Sequence, residues 1–341
     1  MSVSNKDRGV NKKIRNRLKE LFKSDSNIYT DIKNGIDKLE ESELVKLIND
    51  IFTNNVVNLS SDKTKKINMS MKNVCPYLRT VNLPNVTSIG DSVFSGCTKL
   101  TSIDLPNVTS IGTEAFKGCS SLTSIDLPNV TSIGAYICER CTSLTSIDLP
   151  NVTSIGNYAF NSCSSLTSID LPNVTSIGDY AFYCCISLTS IDLPNVISIY
   201  DNAFDHCTSL TSIDLPNVAS IGTCVFSGCT KLTSIDLPNV TSIGINGFYN
   251  CTKLTSIDLP NVTSIGIATF QACSSLTKII IGTDSDICTL KSTDAFRDTP
   301  IASGMGYIYV PDDKVDTYKS ATSWSRYASQ IKPISELPSE E

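Results

Sequence analysis

The chain has 341 residues, 40% hydrophobic and 18% charged, a composition that supports a packed core and excludes wholesale disorder. No run approaches the roughly 18 apolar residues that a membrane-spanning helix needs. The net charge of −6 is unevenly placed: residues 1–77 carry 15 Lys and Arg against 10 Asp and Glu, net +5, and the remainder carries 13 against 24, net −11.

A basic head on an acidic body predicts two surfaces with different partners. At the start of the head, charges stand where the apolar segment of a secretory signal would have to be. This predicts folding in the cytoplasm, with virion association or surface display by a non-classical route. From residue 12 to 52 the pattern is helical. Ile14, Leu18, Leu21 and Phe22 share one face, with Lys12, Lys13, Lys19 and Lys23 largely opposite. Residues 1–56 are therefore expected to form a small α-helical N-terminal domain, and residues 57–77 a linker and N-terminal cap. The basic first helix either docks on an anionic partner or is the solvated face of a packed three-helix unit, the commoner arrangement. Nucleic acid is not expected as a partner.

A repeat then takes over. The leucine opening the motif LTSIDLPNV recurs from Leu78 to Leu276 at intervals of 22 residues. The unit reads L-T-S-I-D-L-P-N-V-T-S-I-G-x-x-A-F-x-x-C-[TS]-[SK], and its places are numbered here from that leucine. Leu166, Ile169 and Leu171 are inward residues of a short strand, alternating with outward Asp170. Pro172 cannot donate to a ladder and must stand where the strand ends; Pro-Asn reads as a turn. Val and Ile at places 9 and 12 re-enter the core, and glycine at place 13 allows a corner. Ala, Phe and Cys at places 16, 17 and 20 are spaced like one face of a helical turn. One unit cannot bury these positions alone, whereas stacked units share a continuous core. Ten turns at about 4.8 Å each make a body on the order of 48 Å long.

The unit resembles the BspA-like, treponemal-type leucine-rich repeat, with its pattern LxxIxLP…IGxxAFxxC, from Leu78 to about Ile281. Two residues depart from it: Cys138 stands where Phe is expected, and Tyr200 replaces the corner glycine. The tail from Tyr307 to Ile334 is similar to the closing module of bacterial and phage-encoded members. The fold expected is a repeat solenoid, a right-handed leucine-rich-repeat superhelix of short parallel strands and short helical turns. It spans residues 78–281 and is followed by a C-terminal cap over 282–341. In that cap, Val315, Tyr318, Trp324, Tyr327 and Ile331 are expected to cover the last turn, with Asp312 or Asp313 capping a helix. The resemblance implies binding or adhesion without catalysis, and it names no ligand.

The residues independently argue against an enzyme. His206 is the only histidine, which removes multi-histidine metal sites, and its place in the repeat predicts a surface residue. No glycine-rich phosphate loop occurs, and no cofactor or metal is expected. Ten cysteines, from Cys75 and Cys97 to Cys273, fall in one column. Their separation would permit bonding, but parallel Cβ vectors and burial predict a ladder of reduced thiols. Cys138 reads as the Phe column filled by a smaller residue, and Cys184, Cys224 and Cys288 lie off the ladder. The recurrent Asn-Val-Thr reads as a by-product of the repeat, since glycans stacked this closely would collide.

Two surfaces remain as candidates. One is a strip of aspartates on the strand face, represented by Asp148, Asp170 and Asp192. It is either a strip for cations or a basic partner, or a solvated edge copied by duplication. The other is the variable turn, where Tyr136, Tyr158 and Tyr180 occupy one column in successive turns with Tyr183 and Tyr200 nearby. Such tyrosines either anchor a protein interface or pack on one another to shield the solenoid. The expected function is a non-enzymatic protein-binding or adhesion module for a protein or host-surface ligand, displayed on a bacterial surface or phage particle. The alternative is a structural spacer docked through its helical N-terminus. Ice binding is disfavoured, because the serine column shares its face with aspartate.

Overall fold

Each 22-residue turn offers the next turn three consecutive stretches of backbone, and all three are used. The computed structural model of the protein describes residues 57–60, 66–67, 78–282 and 286–338. The helical domain expected over residues 1–56 lies outside them. What is described is a parallel solenoid of about 11 turns.

The first side of each turn is a Ser-Ile-Asp strand. Ser124–Asp126 pairs in parallel with Ser146–Asp148, and Ser212–Asp214 with Ser234–Asp236, each residue facing its equivalent one turn on. Only the isoleucine is buried, as a strand with one face in the core requires. Through the middle turns the side continues by bridges from Asp148 to Asp170 and from Asp170 to Asp192. The second side is a Ser-Ile pair, and a seven-stranded sheet runs from Ser154–Ile155 to Thr289–Leu290.

The corner between these sides is a turn closed by the Val86 N–H donating to the Leu83 carbonyl at 3.1 Å, and later turns repeat the bond. From Asn107 to Asn261 the asparagine Nδ2 of every turn donates to the proline carbonyl of the turn before, at 2.6–2.8 Å. The Asn column that reads as a string of glycosylation motifs is thus a hydrogen-bonded ladder.

At the next corner the glycine column has a different reason from the one its turn-like position suggests. These glycines are not in the left-handed region. What they provide is closeness. A Cβ on Gly156 would lie 2.7 Å from the Gly134 carbonyl carbon, and one on Gly266 would lie 2.6 Å from that of Gly244. Tyr200 breaks the column, and there the corner opens: a Cβ on Gly222 would stand 3.5 Å from the Tyr200 carbonyl carbon.

Inside, the leucine, isoleucine, valine, phenylalanine and cysteine columns form one core with almost no exposure. The phenylalanine rings stack from Phe160 to Phe296 at centroid spacings of 5.3–5.7 Å. Phe94 and Phe116 form a separate pair, because Cys138 interrupts the spine. Buried Ile137 stands beside Cys138 where most turns carry a smaller residue, so volume lost at one place is partly regained next to it.

Column cysteines from Cys119 to Cys273 each donate the thiol to a backbone carbonyl one turn earlier, at 3.0–3.3 Å. The same carbonyl also accepts an N–H from its own turn, as Phe94 does from Cys97 at 3.1 Å, so both lone pairs are used. Burial pushes these thiols well above the usual range, as at Cys119, Cys163 and Cys207. The reduced ladder holds from Cys119 onward. Cys97 corrects it: it is disulfide-bonded, to a partner outside the described residues. Cys75 also lies outside them.

Both sheets continue past the regular repeats. Val57–Ser60 pairs with Leu78–Asn82, and Lys66–Ile67 with Ser88–Ile89. At the other end Tyr307–Val310 pairs with Lys278–Ile281 and then with Ile331–Pro333. A terminal strand containing lysine and proline is a poor template for further pairing. Tyr318, Trp324, Tyr327 and Ile331 are buried as expected of a cap, and Val315 packs partly against the core. Tyr327 meets Phe296 edge-on at 5.3 Å, which ends the aromatic spine. The helix-capping role expected of Asp312 or Asp313 is not realised. Both lie within a short 3-10 turn, and Asp312 Oδ1 accepts the Ser335 N–H at 3.1 Å, tying down the tail. Hydrogen bonding from the Ser335 side chain, and then from its backbone N–H, holds the Asp312 carboxyl below its ordinary pKa.

Candidate functional site

The third side, places 14 to 20, carries the variable residues. Its backbone makes short i to i+3 turns, such as Cys141 N–H to the Cys138 carbonyl at 3.0 Å, while alternate N–H groups reach into the next turn. Tyr136 N–H donates to the Asn157 carbonyl at 2.9 Å, Tyr158 to Asp179 at 2.8 Å, and Tyr180 to Asp201 at 3.0 Å. These bonds hold place 15 in the left-handed region, with φ of 60°, 58° and 55° at the three tyrosines. Ser92, Glu114, Asn202 and Ala268 adopt it too, so the strain belongs to the architecture and not to one site.

Identical backbone placement makes identical side chains stack. Tyr136 and Tyr158 lie 4.8 Å apart between centroids at an interplanar angle of 8°, and Tyr158 and Tyr180 are 4.8 Å apart at 5°. Tyr183 meets Tyr180 edge-on at 5.6 Å, and His206 follows Tyr183 at 5.9 Å. The structure therefore gathers Tyr136, Tyr158, Tyr180 and Tyr183 into one aromatic ridge that stays half-exposed. Stacking and partial exposure coexist. Burial is the main reason the Tyr158 hydroxyl is raised above its ordinary pKa; for Tyr183 it is the hydrogen bond with Cys184. Tyr200 projects from the glycine corner at 55% exposure, outside these ring contacts.

Charged groups mark both ends of the ridge. Lys117 Nζ lies 4.7 Å from the Tyr136 ring centroid, 3.1 Å from Glu114 Oε1 and 3.0 Å from Glu139 Oε2. At the far end His206 Nδ1 is 2.7 Å from Asp205 Oδ1. Asp205 is buried, which raises its carboxyl, and the His206 charge and hydrogen bonds oppose the rise. Beside the ridge, Asp179 Oδ1 accepts the Asp201 N–H at 3.1 Å, and Asp201 Oδ1 accepts the Thr223 N–H at 2.7 Å.

The aspartate strip lies on the first side instead. Asp148, Asp170 and Asp192 are brought together in successive turns, all exposed. At the end of the strip burial raises the Asp258 carboxyl, and Asp236 adds to the rise. Among the described residues no group of three His, Cys, Asp or Glu side chains converges as a metal site. No helix among them is long and apolar enough to cross a membrane. His206 in isolation reads as an ordinary surface residue; its place one turn beyond Tyr183 is what joins it to the ridge.

A family model described as "BspA type Leucine rich repeat region (6 copies)" matches residues 49–154, 131–218 and 197–305. The chain belongs to the BspA-type leucine-rich-repeat family. No match is found among curated proteins. Among solved structures, the BspA-type array is similar to a leucine-rich cell surface protein of Faecalibacterium prausnitzii at 23% identity, over 67% of this chain and 91% of that one, with a TM-score of 0.36. It is similar to a leucine-rich repeat protein of T. pallidum at 29% identity, over 52% and 83%, TM-score 0.42. It is also similar to the pneumococcal vaccine antigen PcpA at 18% identity, over 81% and 83%, TM-score 0.42. Leucine-rich-repeat solenoids are generally non-enzymatic scaffolds for protein interaction.

Proposed function

We propose that this BspA-type array is a non-enzymatic binding protein whose recognition surface is the third side between Tyr136 and His206. Display on a bacterial surface or a phage particle, for adhesion to a protein or host-surface ligand, is the setting that suits such an array. The observation that carries the reading is the aromatic ridge across successive turns. The first side, the second side and the core repeat nearly unchanged along the chain, so they recognise at most something equally repetitive. The third side varies from turn to turn and can encode one partner. Its rings are already held by stacking, so little side-chain entropy remains to be lost on docking.

Affinity capture from extracts of the producing cells tests this. A partner held by the wild type should be weakened by about 1–2 kcal/mol or more with Tyr158→Ala and with Tyr180→Ala. Retention by both variants, with loss on joint Asp148→Asn, Asp170→Asn and Asp192→Asn, would move recognition to the aspartate strip.

A further inference from the structure

The ridge ends differently at its two ends. At the Tyr136 end the protein supplies its own cation: the Lys117 ammonium faces the ring and is flanked by the carboxylates of Glu114 and Glu139. At the Tyr180 end the same parts recur without that cation. Tyr180 and Tyr183 meet at 60° and Tyr183 and His206 at 55°, an angled wall of rings. Asp201 sits in the turn above Tyr180, fixed by the 3.0 Å bond from the Tyr180 N–H to its carbonyl. Asp205 sits above Cys184 in the same way at 2.9 Å, and Asp179 adjoins Tyr180 in the chain. Residues 141–230 contain seven aspartates and neither a lysine nor an arginine. Four consecutive turns therefore hold tyrosines and carboxylates with no lysine or arginine of their own, and His206, 2.7 Å from Asp205 Oδ1, engages one of those carboxylates.

We propose that the corner formed by Tyr180, Tyr183 and His206, with Asp179, Asp201 and Asp205 around it, receives a lysine or arginine side chain from a basic segment of the protein partner. This rests on the third side being the recognition face and specifies the chemistry of what docks there. A cation against ring faces gains from their negative quadrupole, and the nearby carboxylates add Coulomb attraction and steer the approach. The Lys117 arrangement is the same recognition made within one chain. The aspartate strip, by contrast, offers charge without rings.

The test uses the full chain and two fluorescein-labelled 12-residue probes, one of repeated Ser-Gly-Lys and one with glutamine for each lysine. Fluorescence anisotropy should show saturable binding of the lysine probe alone. Tyr180→Leu and Tyr183→Leu should each weaken it about fivefold at unchanged melting temperature. Asp201→Asn should weaken it about threefold. The triple change of Asp148, Asp170 and Asp192 to Asn should leave it within about twofold, because the strip is on another side. Binding of a trimethyl-lysine probe should persist, since ring faces need charge and not an N–H donor.

Equal binding by the tyrosine variants and the wild type, or loss only in the strip variant, would show general attraction to an acidic body and overturn the proposal. So would failure of the folded wild type to bind the lysine probe. If that failure accompanied loss of the captured partner on Tyr158→Ala, the corner would be wrong and the recognition face would stand. If Tyr158→Ala kept the partner, the face itself would be wrong.

Discussion

Trp324→Ala is expected to cost about 4 kcal/mol and to release the C-terminal cap before the body of the solenoid unfolds. Trp324 is 1% exposed, packs edge-on against Tyr318 at 5.2 Å and covers Phe296 at 6.1 Å. Its Nε1 donates to the Cys288 carbonyl at 2.7 Å, while the Cys288 N–H donates to the Tyr318 hydroxyl oxygen at 2.8 Å. Truncation removes a large buried ring and leaves that carbonyl without this donor, two losses that add in the same direction. Repeats contact only their neighbours, so the damage should stay at that end. Hydrogen exchange should show fast amides across 286–338 and near-normal protection around Phe160. Trp324→Phe, which keeps an aromatic plug, should lose less. A variant that melts as one unit with the wild type would show that the tail is not holding the end of the stack.

Gly178→Val is expected to destabilise the protein by about 3 kcal/mol, the high end for overpacking, since backbone as well as side chain must move. A Cβ there meets Asn157 Oδ1 at 2.5 Å, the Asn157 nitrogen at 2.7 Å and the Gly156 carbonyl carbon at 2.8 Å. Gly222→Ala is the contrast. After Tyr200 has opened the corner, the only approach under 3 Å is Asp201 Oδ1 at 2.6 Å, so a side chain can give way. That change should cost about 1 kcal/mol, much of it the Asp201 bond to the Thr223 N–H. Chemical denaturation of the two variants side by side checks the ordering. Equal costs would mean that close approach is not why glycine stands in that column.

The period of 22 made the strand side, the core columns and the stacking of Tyr136, Tyr158 and Tyr180 legible in the residues, since equal places in successive turns must lie over one another. What was not legible depends on backbone conformation. Places 15 and 19 are left-handed in nearly every turn, yet glycine marks only a few of them, such as Gly96, Gly118 and Gly228. Side chains as different as tyrosine, glutamate, arginine, serine, cysteine, asparagine, histidine and alanine stand at the others, held there by bonds between turns. For the same reason the corner glycine looked like a bend when it is a close approach. The bond at Cys97 had no signal, because its spacing equals that of every other column cysteine. His206 and Tyr183 come from adjacent places one turn apart, and only the geometry of the third side shows that they meet.

If recognition belongs to the third side, photo-crosslinking should find the partner there. p-Benzoylphenylalanine placed at position 158 samples that side, at 168 the first side, and at 153 the second. Ser168 and Thr153 are both exposed, so all three positions are open to a partner. In the producing cells, irradiation should give one discrete adduct from position 158 and none from the other two. An adduct from position 168 alone would assign recognition to the aspartate face and contradict the account.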